Sequence, residues 1–227
     1  MKPLISIIVR TYNLANLVES ALESIFRQTL TPDMYEIVVV DDGSTDGTQD
    51  VIARYAKKVC LILQDHAGFV SALNTGINAA TARYIIILDG DDTFEKTILE
   101  DMAAQTNQHP EANFIYCDYY EHKLESVETK TISTKKNIFD CLAEGILFKK
   151  SALKKLGLYD ENLFFPEYDI LIRLTKQGEG IHIPKPLFTY NRHAGSLTSK
   201  QKRVAMGKRQ LTKKYGDIPE IAKIRDY

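Results

Sequence analysis

Tyr84-Ile85-Ile86-Ile87-Leu88-Asp89-Gly90-Asp91-Asp92 is the stretch on which the fold turns. An unbroken apolar run of this length that stops at an acidic turn reads as a strand buried on both faces, and such strands belong to parallel sheets covered by helices. The pattern recurs upstream. Leu4 to Val9 is an Ile- and Val-rich run bounded by Pro3 and by Arg10-Thr11, and Ile37 to Val40 ends at Asp41-Asp42-Gly43-Ser44. Between these two runs Leu14, Leu17, Val18, Ala21, Leu22, Ile25 and Phe26 recur in threes and fours, the spacing of one helical face. A helix that Asp46 or Thr48 would cap, a strand over Val59 to Leu63 and a helix near Phe69 to Ala80 complete the alternation. Strands alternating with helices at this spacing predict an α/β fold, a mostly parallel sheet with helices on both faces.

Beyond about residue 110 the alternation loosens. Phe114 to Cys117 and Ile146 to Phe148 read as strands, and the polar stretch Glu121 to Lys136 between them reads as a hairpin or loop. A short helix is expected from near Asp169, then a strand over Ile181 to Ile183, a Pro184-Lys185-Pro186 turn and an extended Leu187 to Asn191. From Lys200 to Lys214 there are seven Lys or Arg and no acid, which predicts a basic terminal helix.

A chain of 227 residues suits one sizeable α/β core, and 44% hydrophobic with 26% charged residues is ordinary globular composition. The formal charge of -1 gives no overall field toward nucleic acid or membrane. Cys60, Cys117 and Cys141 form no CxxC pair, so neither a disulfide framework nor a structural zinc site is indicated, and a reducing cytoplasm is expected. The apolar run after Met1-Lys2-Pro3 is too short for a signal peptide, and no run of about 18 apolar residues occurs anywhere.

Ligands of open parallel sheets bind beyond the carboxyl ends of the strands. Three such ends carry Arg10-Thr11-Tyr12-Asn13, Asp41-Asp42-Gly43-Ser44 and Asp89-Gly90-Asp91-Asp92, which would meet at one crevice. An aromatic ring with several carboxylates suits a ligand that combines a flat base with hydrogen-bond donors. Asp89, Asp91 and Asp92 would repel a diphosphate unless a cation stood between, so a hard divalent ion, Mg2+ or Mn2+, is implied. Its role would be to neutralise charge building on a diphosphate leaving group.

In these residues the chain resembles the family 2 glycosyltransferases, the inverting group with the GT-A fold. The resemblance is dense over Ile5-Ser6-Ile7-Ile8-Val9 with Tyr12-Asn13, Glu36 to Gly47, Asn74-Thr75-Gly76 and Tyr84 through Asp92. It resumes at Gly157-Leu158-Tyr159-Asp160-Glu161, Pro166-Glu167-Tyr168-Asp169 and Arg192-His193 with Ser196. It implies a Rossmann-like GT-A domain over 1–198, with a nucleotide-binding half over 1–95 and an acceptor-side half over 110–198, followed by a basic helical tail over 199–227. It implies transfer of a sugar from a nucleoside-diphosphate sugar, a UDP-sugar first, to a hydroxyl of a carbohydrate or lipid-linked acceptor in polysaccharide or glycolipid synthesis. Tyr12 would stack on the nucleobase, Asp42 would accept from its ring NH, and Asp89 would lie near the ribose or sugar phosphate. Asp91 matches the main metal ligand, and His193 would reach the metal or the diphosphate.

Inversion requires a carboxylate that takes the proton of the attacking hydroxyl, and Glu167 is the candidate, with Asp169 the alternative if the register differs. The family's usual Glu-Asp pair is replaced here by Pro166-Glu167. Leu73 stands where an Arg is common, and Ala82-Arg83 replaces the usual Gly-containing pair before the fourth strand. Two other readings are carried forward. Asp89-x-Asp91-x-Thr93 also resembles the haloacid dehalogenase-like phosphatases, with Asp89 as nucleophile and Asp91 as acid. A subunit that binds nucleotide sugar without turnover is the third. The basic tail is read either as a helix packed on the domain or as a peripheral contact to anionic lipid on the inner face of the membrane.

Overall fold

The computed structural model describes residues 2–126, 128–194, 196 and 201–224, and the side chains of 201–203 are not described. The boundary expected between 198 and 199 lies outside the described residues. Four strands, β1 (Ile5–Thr11), β2 (Tyr35–Asp41), β3 (Cys60–Leu63) and β4 (Tyr84–Asp89), run parallel in the order β3-β2-β1-β4. They are linked by α1 (Val18–Phe26), α2 (Thr48–Ala53) and α3 (Phe69–Ala79), each crossover returning the chain to the same end of the sheet.

Alternate residues of each strand enter different cores. Ile5, Ile7 and Val9 with Ile37, Val39, Ile86 and Leu88 pack under α1 and α4 (Ile98–Gln108). Ile8, Val38, Val40, Ile85 and Ile87 pack under α3 and the later helices α5 (Lys150–Lys155) and α6 (Pro166–Thr175). Burial on both faces explains the continuous apolar runs and the absence of polar alternation.

The second half supplies the antiparallel part of the mostly parallel sheet. Next to β4 comes β8 (Ile146–Lys149), antiparallel, then β6 (Phe114–Lys123), β9 (Ile181–Arg192) and the two-residue β5 (Thr93–Phe94). A fifth partner, β7 (Glu128–Ile132), closes the predicted hairpin against β6. The two extended pieces around Pro184 and Pro186 are one strand, parallel to β6, whose register shifts at Asp118 absorb the prolines that cannot donate to the ladder. The helix expected near Asp169 begins at Pro166, because proline fits the first helical position.

The basic segment forms α7 (Gln201–Tyr215), followed by the single turn α8 (Pro219–Ala222). Val204 and Leu211 of α7 and Ile221 of α8 are buried in the same core as α3 and α6. Among the described residues no helix is long and apolar enough to cross a membrane.

Candidate functional site

The carboxyl ends of β1, β2 and β4 lie side by side, with Arg10 opposite Asp89 and Thr11 opposite Asp41. The loops that leave them are tied to one another. Asn13, in the left-handed region at φ 53°, accepts from Thr45 N (2.8 Å) and donates its own N–H to Ser44 Oγ (2.9 Å). Asn tolerates that conformation through such local bonds. Tyr12 follows directly from β1, is 43% exposed, and stacks on His66 at 4.1 Å between ring centroids.

Asp42 is buried, and its carboxylate accepts from Gln64 Nε2 (2.7 Å), Ala67 N (2.9 Å) and Gly68 N (2.9 Å), with His66 Nδ1 at 2.8 Å. Four partners saturate a carboxylate. The expected bond from Asp42 to a base ring NH therefore has no free oxygen to receive it in this arrangement. Asp42 instead shapes the 64–68 loop that carries His66 beneath Tyr12.

At the end of β4 each acid has a different environment. Asp89 receives a two-pronged bond from Arg10, through Nε and through Nη2 at 2.6 Å. Arg10 also lies 5.0 Å from the centre of the Phe69 ring. With both oxygens engaged by a guanidinium, Asp89 is not poised as a nucleophile, which removes the geometric basis of the phosphatase reading. Gly90 lets the chain pass close to β1, since a Cβ there would stand 3.0 Å from Leu14 Cδ1 and 3.2 Å from Arg10 O.

Asp91 and Asp92 are stapled to the end of β9. Asn191 donates its N–H to Asp92 Oδ1 (2.7 Å) and its Nδ2 to Asp91 O (2.8 Å), and the adjacent pairing of β5 with β9 fixes the register. This brings His193 Nε2 to 2.9 Å from Asp91 Oδ2, although the two residues are separated by about a hundred positions. Both side chains remain partly exposed, at 19% for Asp91 and 23% for His193. Among the described residues no three His, Cys, Asp or Glu side chains form a complete metal cage. Asp91 is a carboxylate open to solvent and suited to a hard divalent ion that takes water or phosphate oxygens in its other positions, and His193 Nε2 would have to leave Asp91 Oδ2 to join it.

Further residues line the same region. Glu144, buried just before β8, hydrogen bonds Asp89, and its carboxyl is pushed well above the usual range by burial and by the Asp89 charge, against the pull of Arg10. Burial followed by the charges of Asp91, Glu144 and Asp89 does the same to Asp92. Arg10, bonded to Asp89, stands among these acids as a fixed cation. Tyr159 is buried, and its hydroxyl has no hydrogen-bond partner among the described residues. Asn74 grips the Tyr159 backbone twice, Nδ2 to O at 2.9 Å and Oδ1 from N at 3.1 Å, which gives that motif residue a bracing role. Leu73, beside it, is buried in the core in place of a charged contact.

Glu167 and Asp169 share the first turn of α6 but not their surroundings. Asp169 is fully buried and bound by Arg173, by Tyr215 Oη (2.5 Å) and by Lys214 Nζ (2.8 Å). Glu167 is partly buried and feels Arg10 and Asp89 of the crevice; burial pushes its carboxyl up to about 7.

Acids and an exposed aromatic ring gathered at the carboxyl ends of central strands, where neighbouring connections diverge, are the place where open α/β sheets take up their ligands. The chain belongs to glycosyl transferase family 2, whose family model matches residues 6–157. EpsJ of Bacillus subtilis, an uncharacterized glycosyltransferase, is 28% identical over an alignment covering 95% of this chain and 68% of EpsJ. S. aureus TarS, solved in complex with UDP-GlcNAc, superposes with a TM-score of 0.75 at 20% identity, over 98% of this chain and 69% of that structure. The mannosyltransferase PcManGT of Pyrobaculum calidifontis, solved with GDP-Man and Mn2+, superposes with a TM-score of 0.72 at 22% identity, over 98% and 68%. This chain spans about two thirds of the length of each of these three chains.

Proposed function

We propose that this protein is an inverting, metal-dependent glycosyltransferase that moves a sugar from a nucleoside-diphosphate donor, a UDP-sugar first, to a hydroxyl of a carbohydrate or lipid-linked acceptor. The observation that carries the reading is the gathering of Asp89, Asp91 and His193 at the carboxyl end of β4, with Glu167 of α6 facing the Arg10–Asp89 pair. A general base works best when its pKa lies near the working pH.

The nucleobase rests on Tyr12, within the loop that Asp42 shapes, and the ribose or sugar phosphate lies near Asp89. A divalent ion, Mn2+ or Mg2+, held by Asp91 and His193 would offset the charge growing on the departing diphosphate. Glu167 removes the acceptor proton as the hydroxyl oxygen attacks the anomeric carbon from the face opposite the diphosphate, and inversion follows. Asp169, enclosed by Arg173, Lys214 and Tyr215, is assigned to structure and not to proton transfer.

A role in polysaccharide or glycolipid synthesis in the cytoplasm suits this chemistry. The outward face of α7, with Met206, Arg209 and Lys213 exposed, is suited to anionic headgroups at the inner membrane face. The reaction is tested with a panel of UDP- and GDP-sugars, with and without Mn2+, by release of nucleoside diphosphate. Metal-dependent release from one donor class is expected. Donor binding without release, across acceptors, would make the chain a binding subunit, and phosphate release from simple esters would contradict the reading altogether.

A further inference from the structure

Helix α7 grips the segment that leads into Glu167. Asp169 Oδ1 takes Tyr215 Oη at 2.5 Å and Lys214 Nζ at 2.8 Å, while its other oxygen binds Arg173 within α6. Lys214 Nζ also lies 2.7 Å from Asp160 Oδ2, so one ammonium joins both ends of the stretch from 160 to 169. One turn earlier Gln210 accepts from Phe164 N (2.8 Å) and donates to Asn162 O (3.0 Å). Another turn back, Gly207 meets the Phe165 ring so closely that a Cβ would overlap it. Positions 207, 210, 211 and 214 fall on one helical face at the expected three- and four-residue spacing, and Leu211 between them is buried.

These contacts bear on residues 160, 162, 164, 165 and 169 and leave Glu167 to face the crevice. We propose that Lys214 and Tyr215, acting through Asp169, are positioning residues for Glu167, and that α7 is part of the catalytic apparatus. This inference rests on the reading of Glu167 as the base. A buried carboxylate that loses one of its donors must move or take up water. The first turn of α6 moves with it, and a displacement of about 1 Å is enough to cost roughly a hundredfold in rate.

Tyr215→Phe removes one hydroxyl and Lys214→Met one charge, each with little change of shape, and Lys214→Arg returns the charge. Two readings are taken on each. In the donor assay kcat is expected to fall about tenfold to a hundredfold with donor KM unchanged, and Lys214→Arg to recover part of the loss. In carboxyl-13C-glutamate NMR, with the Glu167 resonance identified by Glu167→Gln, its titration midpoint is expected to drop from near 7 toward the ordinary glutamate range as the turn loosens. The groups facing that carboxyl are Arg10 and Asp89, with Tyr159 close by, and none of the variants alters them. An unmoved Glu167 midpoint in both variants, or kcat and KM rising or falling together with melting temperature, would overturn the positioning role. If the wild type releases no nucleoside diphosphate and the midpoint still moves, α7 positions Glu167 and it is the glycosyltransferase reading that falls.

Discussion

The two ends of the same parallel strands treat their acids in opposite ways. At the amino ends Glu36 of β2 accepts from Ser6 Oγ, Thr81 N and Oγ1 and Ala82 N, tying β1, β2 and the approach to β4 together. Burial pushes its carboxyl up, but these donors outweigh burial and hold it below the usual value. At the carboxyl ends Asp91, Asp92 and Glu144 crowd around Asp89 with Arg10 as their locked cation, and burial and mutual repulsion hold all three above the usual value. Acids that close a hydrogen-bond network hold a fold together. Acids left short of positive charge mark the place where a cation or a proton is meant to arrive.

The sharpest way to break this contrast is Asp91→Asn. Loss of the metal donor is expected to lower kcat/KM by roughly a thousandfold, the scale of Lewis-acid stabilisation of a leaving diphosphate. The same change relieves repulsion, so the melting temperature without metal is expected to hold or rise. A fall in stability without metal would show that Asp91 braces the fold as Glu36 does.

Glu167→Gln is expected to lower kcat by about a hundredfold while donor binding, followed by calorimetry, is unchanged. In the wild type, Glu167 is active as the base only when ionised. With its midpoint near 7, kcat is therefore expected to rise with pH up to about 7 and level off above it. A profile flat from pH 5 to 8 would exclude Glu167 as the base.

Smaller effects sharpen the picture at its edges. Tyr12→Ala is expected to raise donor KM about tenfold with kcat little changed, the worth of one base-stacking contact. Glu36→Gln is expected to cost about 1 kcal/mol in a urea midpoint, discounted for its partial exposure, with activity intact. Its folded-state pKa is depressed, so the stabilisation is present above the unfolded glutamate value and disappears as pH falls through the folded one. The loss in Glu36→Gln should accordingly vanish in acid.

Much of the crevice was legible because strands buried on both faces leave an unmistakable signature. Ile5–Val9, Ile37–Val40 and Tyr84–Leu88 are apolar throughout, and each stops at the residues that form the site. The acceptor-side half was harder for physical reasons. Pro184 and Pro186 look like a turn, whereas the extra residues that β9 bulges out opposite Asp118 of β6 let the strand run through them. Glu144 lies in a single helical turn with no periodicity, and only the antiparallel insertion of β8 beside β4 brings it to Asp89. Lys214 reads as one charge in a basic run. Its pairing with Asp160 and Asp169 depends on how α7 docks, which no local pattern encodes.

The central claim, that the acids beyond β4 await a cation that carries a diphosphate, is tested most directly by titrating UDP and GDP into the protein with and without Mn2+. Binding heat that requires Mn2+ in the wild type and is lost in Asp91→Asn is the predicted result. Equal binding with and without the metal, or Mn2+-dependent binding that survives Asp91→Asn, would contradict it.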